Sequence, residues 1–217
     1  MTHPYKNYLI CRDDYFENPE HVIELSKHMN YSRSTYFPGE RTGNLLGMED
    51  KKIKDFADWF ANRLSFDIFP GIRMFELMLC FHRNFPNKDP YYNRGLIHND
   101  WGNLAGLIYL TPGEHDLNTG TSIFDNETVP RTEPCELDTD AAALKEFYLY
   151  DNTTPDYVKG FEHNLEIFES GETIRVGNKF NRLLAYDAKL WHRPNSFATS
   201  VDQPRLSLLF FVSQFSY

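Results

Sequence analysis

The spacing of apolar residues changes at Pro70-Gly71, from every third or fourth position to every second, and this limits what the chain can fold into. Upstream, Asn18-Pro19-Glu20 supplies a cap, a first-turn proline and a first-turn acid. It predicts a helix to about Tyr31 with Val22, Leu25 and Met29 on one face. A second helix is predicted from about Glu49 to Leu64, where Ile53, Phe56, Trp59, Phe60 and Leu64 recur at helical spacing. Downstream, Phe75, Leu77, Leu79 and Phe81 alternate with Glu76, Met78, Cys80 and His82, the pattern of a half-buried strand. Further strands are predicted at about Leu104–Thr111, Ser122–Phe124, Leu183–Asp187 and Leu206–Phe215. Thr111-Pro112-Gly113, His115-Asp116 and Asn118-Thr119-Gly120 are read as turns between them. The 18 Phe and 13 Tyr suit packed, pleated strands better than a helical bundle. The expected fold is mainly β with flanking helices (α+β), a jelly roll.

One domain is expected over residues 1–217, with 1–70 as helical support and 71–217 as the β core. An insertion at about 125–164 breaks the strand rhythm with charges, prolines and one helical island, Ala141–Tyr150. Segments of this kind serve as lids or mobile loops. A net charge of −9 argues against nucleic acid, whose phosphates need clustered Lys and Arg. Cys11, Cys80 and Cys135 are widely spaced and read as reduced thiols, so a cytoplasmic location is expected. No run of residues is apolar enough for a membrane span.

The chemistry concentrates in His98-Asn99-Asp100, followed by His192 and then Arg205-Leu206-Ser207. Residues i and i+2 of a strand share a face, so His98 and Asp100 can converge on one ion, with His192 brought from another strand. Two imidazoles and a carboxylate occupy one face of a divalent metal and leave the other open, the ligand set of non-haem Fe(II) oxygenases. The same ligands could serve a cupin-like zinc or manganese hydrolase or isomerase, or stand idle in a non-catalytic binding or structural jelly roll. Neither alternative gives Arg205 a reason to be where it is.

Around these residues, Leu96–Trp101, Ala105–Pro112, Thr119–Phe124 and Asn181–Asp187 follow a recognisable order. The chain resembles the Fe(II)/2-oxoglutarate-dependent oxygenases, in the prolyl-hydroxylase-like branch, over residues 74–215. Within that superfamily it is most similar to uncharacterised marine bacterial and phage members, which share the Asn18-Pro19 helix and the Pro38-Gly39-Glu40-Arg41-Thr42 segment. The resemblance implies a double-stranded β-helix with iron on His98, Asp100 and His192. It implies that Arg205 binds the distal carboxylate of 2-oxoglutarate through its guanidinium fork, with Ser207 donating to the same carboxylate. It further implies consumption of dioxygen and 2-oxoglutarate, release of succinate and CO2, and hydroxylation of a peptidyl, amino-acid or small-molecule substrate. Asp100 separates the chain from family halogenases, which lack this carboxylate. Thr119-Gly120 departs from the family's Gly-Gly, and the 13 residues from His192 to Arg205 imply a loop over Phe197–Gln203.

Other residues carry weaker expectations. In the family pattern Ile108 faces the co-substrate and Tyr109 packs. Ser122, Tyr92 and Asn93 are candidates for lining the pocket, and Trp101 for roofing it. Arg41 could meet an anionic substrate group, with an ion pair to one of the 31 acids as the weightier reading. His82 and His163 are expected to be structural or solvated.

Overall fold

The computed structural model describes residues 8–68, 74–124, 141–199 and 203–216. In chain order the elements are β1 (Leu9–Arg12), α1 (Pro19–Lys27), β2 (Ser32–Arg33), β3 (Glu40–Arg41), α2 (Lys51–Ile68), β4 (Met74–Asn84) and β5 (Leu104–Tyr109). There follow β6 (His115–Phe124), α3 (Ala141–Tyr150), α4 (Pro155–Phe168), β7 (Glu172–Lys179), β8 (Leu183–Asp187), β9 (Trp191–Pro194) and β10 (Arg205–Ser216).

Asn18 caps α1 as its sequence predicts, accepting from the His21 N–H. The helix stops at Lys27, short of Tyr31, because the His28 and Met29 N–H groups turn back to Leu25 and Ser26, three residues away, and tighten the last turn. The side chain of Asp50 caps α2, accepting from Lys52 and Ile53. This helix runs a turn beyond the expected Leu64, since Ile68 extends the stripe of Ile53, Ala57, Phe60 and Leu64. Trp59, expected on that stripe, lies on its flank, half-exposed and packed on Phe16 and Phe56.

The strands form a major sheet, β1-β8-β5-β10-β4-β3-β2, and a minor sheet, β7-β6-β9. His98 adds one antiparallel bridge to His192 on β9, so the minor sheet has a rudimentary fourth strand. From β4 onward the chain passes back and forth between the two sheets, through His98, β5, β6 and β7, β8, β9 and β10. This winding is a double-stranded β-helix, the jelly roll that the sequence predicts.

Alternation along the major-sheet strands divides the molecule. Leu79, Phe81, Ile108, Leu183, Leu208 and Phe210 face α1 and α2 and form the larger core with Phe60 and Leu64. Cys80, Leu107, Tyr109, Leu184, Tyr186 and Leu209 face the minor sheet, where Ile123 and Val176 meet them.

Two predicted turns are strand. His115 and Asp116 pair with Lys179 and Asn178, and the register shifts before Thr121, so Asn118-Thr119-Gly120 forms an irregularity within β6 rather than its end. Gly120 is required there, because a Cβ would overlap the Val176 carbonyl. In the expected insertion, α3 coincides with the predicted helical island, while residues 125–140 lie outside the described residues, as does Cys135. The unpredicted α4 has a Thr154 side-chain cap and Pro155 in its first turn. It packs Tyr157 and Phe161 against Phe147 and Tyr92, and Phe168 against Trp191.

Candidate metal centre

His98 and His192 stand side by side because their backbones exchange both N–H···O bonds, at 3.0 and 2.8 Å. Their ring centroids are 4.4 Å apart. Asp100 is fixed from behind, its N–H donating to the Ala188 carbonyl. Its Oδ2 lies 3.2 Å from His192 Nε2, and its Oδ1 3.8 Å from His98 Nε2. One ligand atom from each of the three residues falls within 4.8 Å of the others, so a single ion can be shared.

The histidine tautomers follow from their partners. Nδ1 of His98 lies 2.8 Å from the Leu96 carbonyl, and Nδ1 of His192 lies 2.9 Å from that of Leu190. A carbonyl only accepts, so each Nδ1 carries the proton and each Nε2 keeps a lone pair for a metal. Desolvation, with His192 beside it, holds the His98 imidazole down to about 4, so it is neutral and ligand-ready at ordinary pH. Desolvation pushes the Asp100 carboxyl up, but His192, His98 and Arg41 outweigh it and leave it below its usual value. The His98 side chain is 46% exposed, against 16% for Asp100 and 5% for His192, so solvent reaches the centre past His98.

A residue the sequence reading passed over positions this centre. Asn164 on α4 is fully buried and grips both polar backbone groups of Ile97, accepting from its N–H and donating to its carbonyl, each at 2.8 Å. The amide replaces the neighbouring strand that His98's segment lacks. A lone Asn in a helical stretch gives no hint of this in the sequence.

Arg205 and Ser207 lie on the interior face of β10, both buried. Arg205 Nη1 donates to the Ser196 carbonyl at 2.9 Å, while its buried Nε has no hydrogen-bond partner among the described residues. Its guanidinium sits 5.4 Å from the Tyr109 ring. Burial lowers its pKa, and Tyr109, Glu114 and Tyr186 work against that shift. The loop expected before β10 is present, although residues 200–202 are outside the described set.

Tyr109 and Ile108 exchange the places expected of them. Ile108 faces the helices, opposite Leu208 and Leu183, whereas Tyr109 points inward and shares a 2.7 Å hydrogen bond with Thr121. Ser122 consequently points away from the interior, donating to Asn195. Tyr92 is packed in the α3–α4 cluster, and Asn93 bonds the Asn87 and Phe197 backbones. Trp101, half-exposed, stacks on Phe211 beside Asp100. His82 is buried, donating from Nε2 to the Pro38 carbonyl, and His163 is exposed near Glu166. Arg41 makes no ion pair within 4 Å among the described residues, contrary to the weightier expectation.

A double-stranded β-helix with a candidate three-residue metal site is the class that this fold and ligand geometry define. No protein-family model and no curated protein matches the sequence. Solved structures do match. A Pseudomonas putida prolyl-4-hydroxylase has a TM-score of 0.51 and 12% identity, covering 96% of this chain and 93% of that one. HygX from Streptomyces hygroscopicus, with nickel and 2-oxoglutarate bound, has a TM-score of 0.57 and 9% identity, covering 96% and 84%. The epimerase SnoN, in complex with Fe3+, alpha-ketoglutarate and nogalamycin RO, has a TM-score of 0.51 and 11% identity, covering 97% and 81%. The chain therefore has the fold of the iron/2-oxoglutarate-dependent oxygenases. No described helix is long and apolar enough to cross a membrane.

Proposed function

We propose that the chain is an Fe(II)- and 2-oxoglutarate-dependent oxygenase that hydroxylates a small-molecule substrate. The convergence of His98, Asp100 and His192, with each Nδ1 turned to a backbone carbonyl and each Nε2 turned towards Asp100, carries this reading. Those three residues would hold the ion. Arg205 would take the distal carboxylate of 2-oxoglutarate, which would supply the missing partner of its buried Nε, with Ser207 donating beside it. Bound together, iron, 2-oxoglutarate and dioxygen supply an oxidant that removes hydrogen from an unactivated C–H bond, with succinate and CO2 as by-products.

The chain's own residues orient and shield. The Leu96 and Leu190 carbonyls keep the imidazole protons on Nδ1. Leu107, Leu184 and Leu209 line the interior between the sheets and keep water from the co-substrate's stem. Burial of Arg205 strengthens its pairing with a carboxylate. No side chain has to act as acid or base. The small-molecule assignment is supported by neighbours of the same fold: HygX with hygromycin B bound and SnoN with nogalamycin RO.

Anaerobic titration with Fe(II) followed by measurement of succinate under air tests the proposal. The expected result is one iron per chain and 2-oxoglutarate-dependent succinate. Arg205→Met should raise the 2-oxoglutarate KM by about tenfold to a hundredfold, the effect of losing a charge-assisted hydrogen bond. Tight zinc binding with no 2-oxoglutarate consumed would refute the reading.

A further inference from the structure

Arg41 is a buried charge that the oxygenase reading leaves unused. It lies on β3 directly opposite His82 on β4, which is opposite Ser207 on β10, which is opposite Tyr109 on β5. The four residues form one row across the interior face. Arg41 therefore faces the same space as Arg205, and it interacts electrostatically with Asp100, Cys80, Tyr186 and, on α3, Tyr148.

Its guanidinium lies 3.9 Å from the centroid of the Phe37 ring and 5.7 Å from that of Phe211. Phe211 in turn stacks on Trp101, next to the ligand Asp100. One ring thus lies close against the cation and a second lies nearby. Nε is buried and has no hydrogen-bond partner among the described residues. Neighbouring arginines are satisfied differently. Arg83, on the helix side of β4, has Glu40 at 3.6 Å and the Tyr31 ring beneath it. An arginine does not shed its proton to escape such a site. Asp100 attracts it electrostatically but makes no ion pair with it within 4 Å, and that carboxylate is grouped with the two imidazoles.

We propose that Arg41 anchors a carboxylate of the substrate, so that the molecule oxidised is a small organic acid or a carboxylate-bearing amino acid. The inference rests on the oxygenase reading for the word substrate, but not for the anion site. A planar cation packed on Phe37, with its buried Nε unpartnered among the described residues, presents a fork suited to a bidentate carboxylate. Its electrostatic interaction with Asp100 places the anchored end towards the candidate metal ligands. Arg205, beside Tyr109 and Ser196, is left to the co-substrate, so the two arginines divide two carboxylates between them.

The test compares benzoate with its neutral isostere benzamide, by calorimetric titration into the chain loaded with nickel and 2-oxoglutarate. Benzoate should bind tighter by about tenfold to a hundredfold, and Arg41→Met should abolish that difference while leaving 2-oxoglutarate affinity unchanged. Arg41→Lys should keep part of the preference. Because Met removes an unpaired buried charge, the melting temperature of Arg41→Met should not fall. Equal binding of the two probes to the wild type would overturn the proposal. So would a loss of 2-oxoglutarate affinity in Arg41→Met, which would make Arg41 a co-substrate clamp. A lowered melting temperature with the benzoate preference retained would make it a packing residue and equally overturn it. If the wild type binds neither nickel nor 2-oxoglutarate, the oxygenase reading fails, and the same probe comparison on the chain alone still decides whether Arg41 holds a carboxylate.

Discussion

Phe81 and His82 are adjacent on β4 and turned to opposite sides of one sheet. Phe81 stacks on Phe56 of α2, in a cluster dominated by aliphatic and phenylalanine side chains. His82 lies in the row with Arg41, Ser207 and Tyr109, and two arginines on its side have a buried Nε with no hydrogen-bond partner among the described residues. The same alternation that makes a strand thus builds stability on one face and leaves unmet polar demand on the other. Unmet demand costs stability, so the apolar face must carry it.

Substitutions on the two faces should separate these roles. Phe81→Ala should cost about 3–5 kcal/mol by urea unfolding, the usual penalty for truncating a buried aromatic, while the fraction still folded binds metal normally. If metal affinity fell in proportion, the two faces would not be independent. Asn164→Ala orphans the Ile97 N–H and carbonyl and should cost about 2–4 kcal/mol. It should also weaken metal binding by about tenfold to a hundredfold, because the segment carrying His98 loses its anchor. A stability loss with unaltered metal affinity would leave Asn164 as a packing residue only.

The smallest effect concerns His82. Desolvation, with Arg41 and Arg205 nearby, holds its imidazole well below the ordinary value, so the folded chain keeps it neutral where the unfolded chain protonates it. Stability is then full above about pH 6.5 and declines as pH falls, by up to about 1.4 kcal/mol per pH unit for one proton. In the metal-free chain His98, held at about 4, adds a second proton in the same window. His82→Gln should therefore reduce the slope of urea midpoint against pH between 6.5 and 5 without removing it. An unchanged slope would mean that His82 is protonated in the fold.

Much of this division can be read from the sequence, and some of it cannot. Alternation in Phe75–His82 placed β4, and the spacing of His98, Asp100 and His192 anticipated a cluster that the fold does assemble. Strand alternation does not say which parity faces inward, and the family pattern used to choose it placed Ile108 inside where the fold places Tyr109. The parity is set by pairing with β10, nearly a hundred residues away. Turn-forming residues in β6 were misread because a strand irregularity uses the same amino acids as a strand end. Asn164 was invisible for a further reason, since its importance lies in what it bonds across the fold; Arg41 was noticed in the sequence, but the lack of an ion pair among the described residues could not be read there.

Each metal-facing imidazole is held by the carbonyl two residues before it on its own chain segment, Leu96 for His98 and Leu190 for His192. The ligands thus carry their orienting groups with them as short, self-sufficient cassettes. Replacing Arg41, Phe37 or Tyr148 would change what is recognised while leaving the imidazole tautomers untouched. Such a centre can be inherited intact while the surrounding interior diversifies, which is how one scaffold comes to serve many substrates.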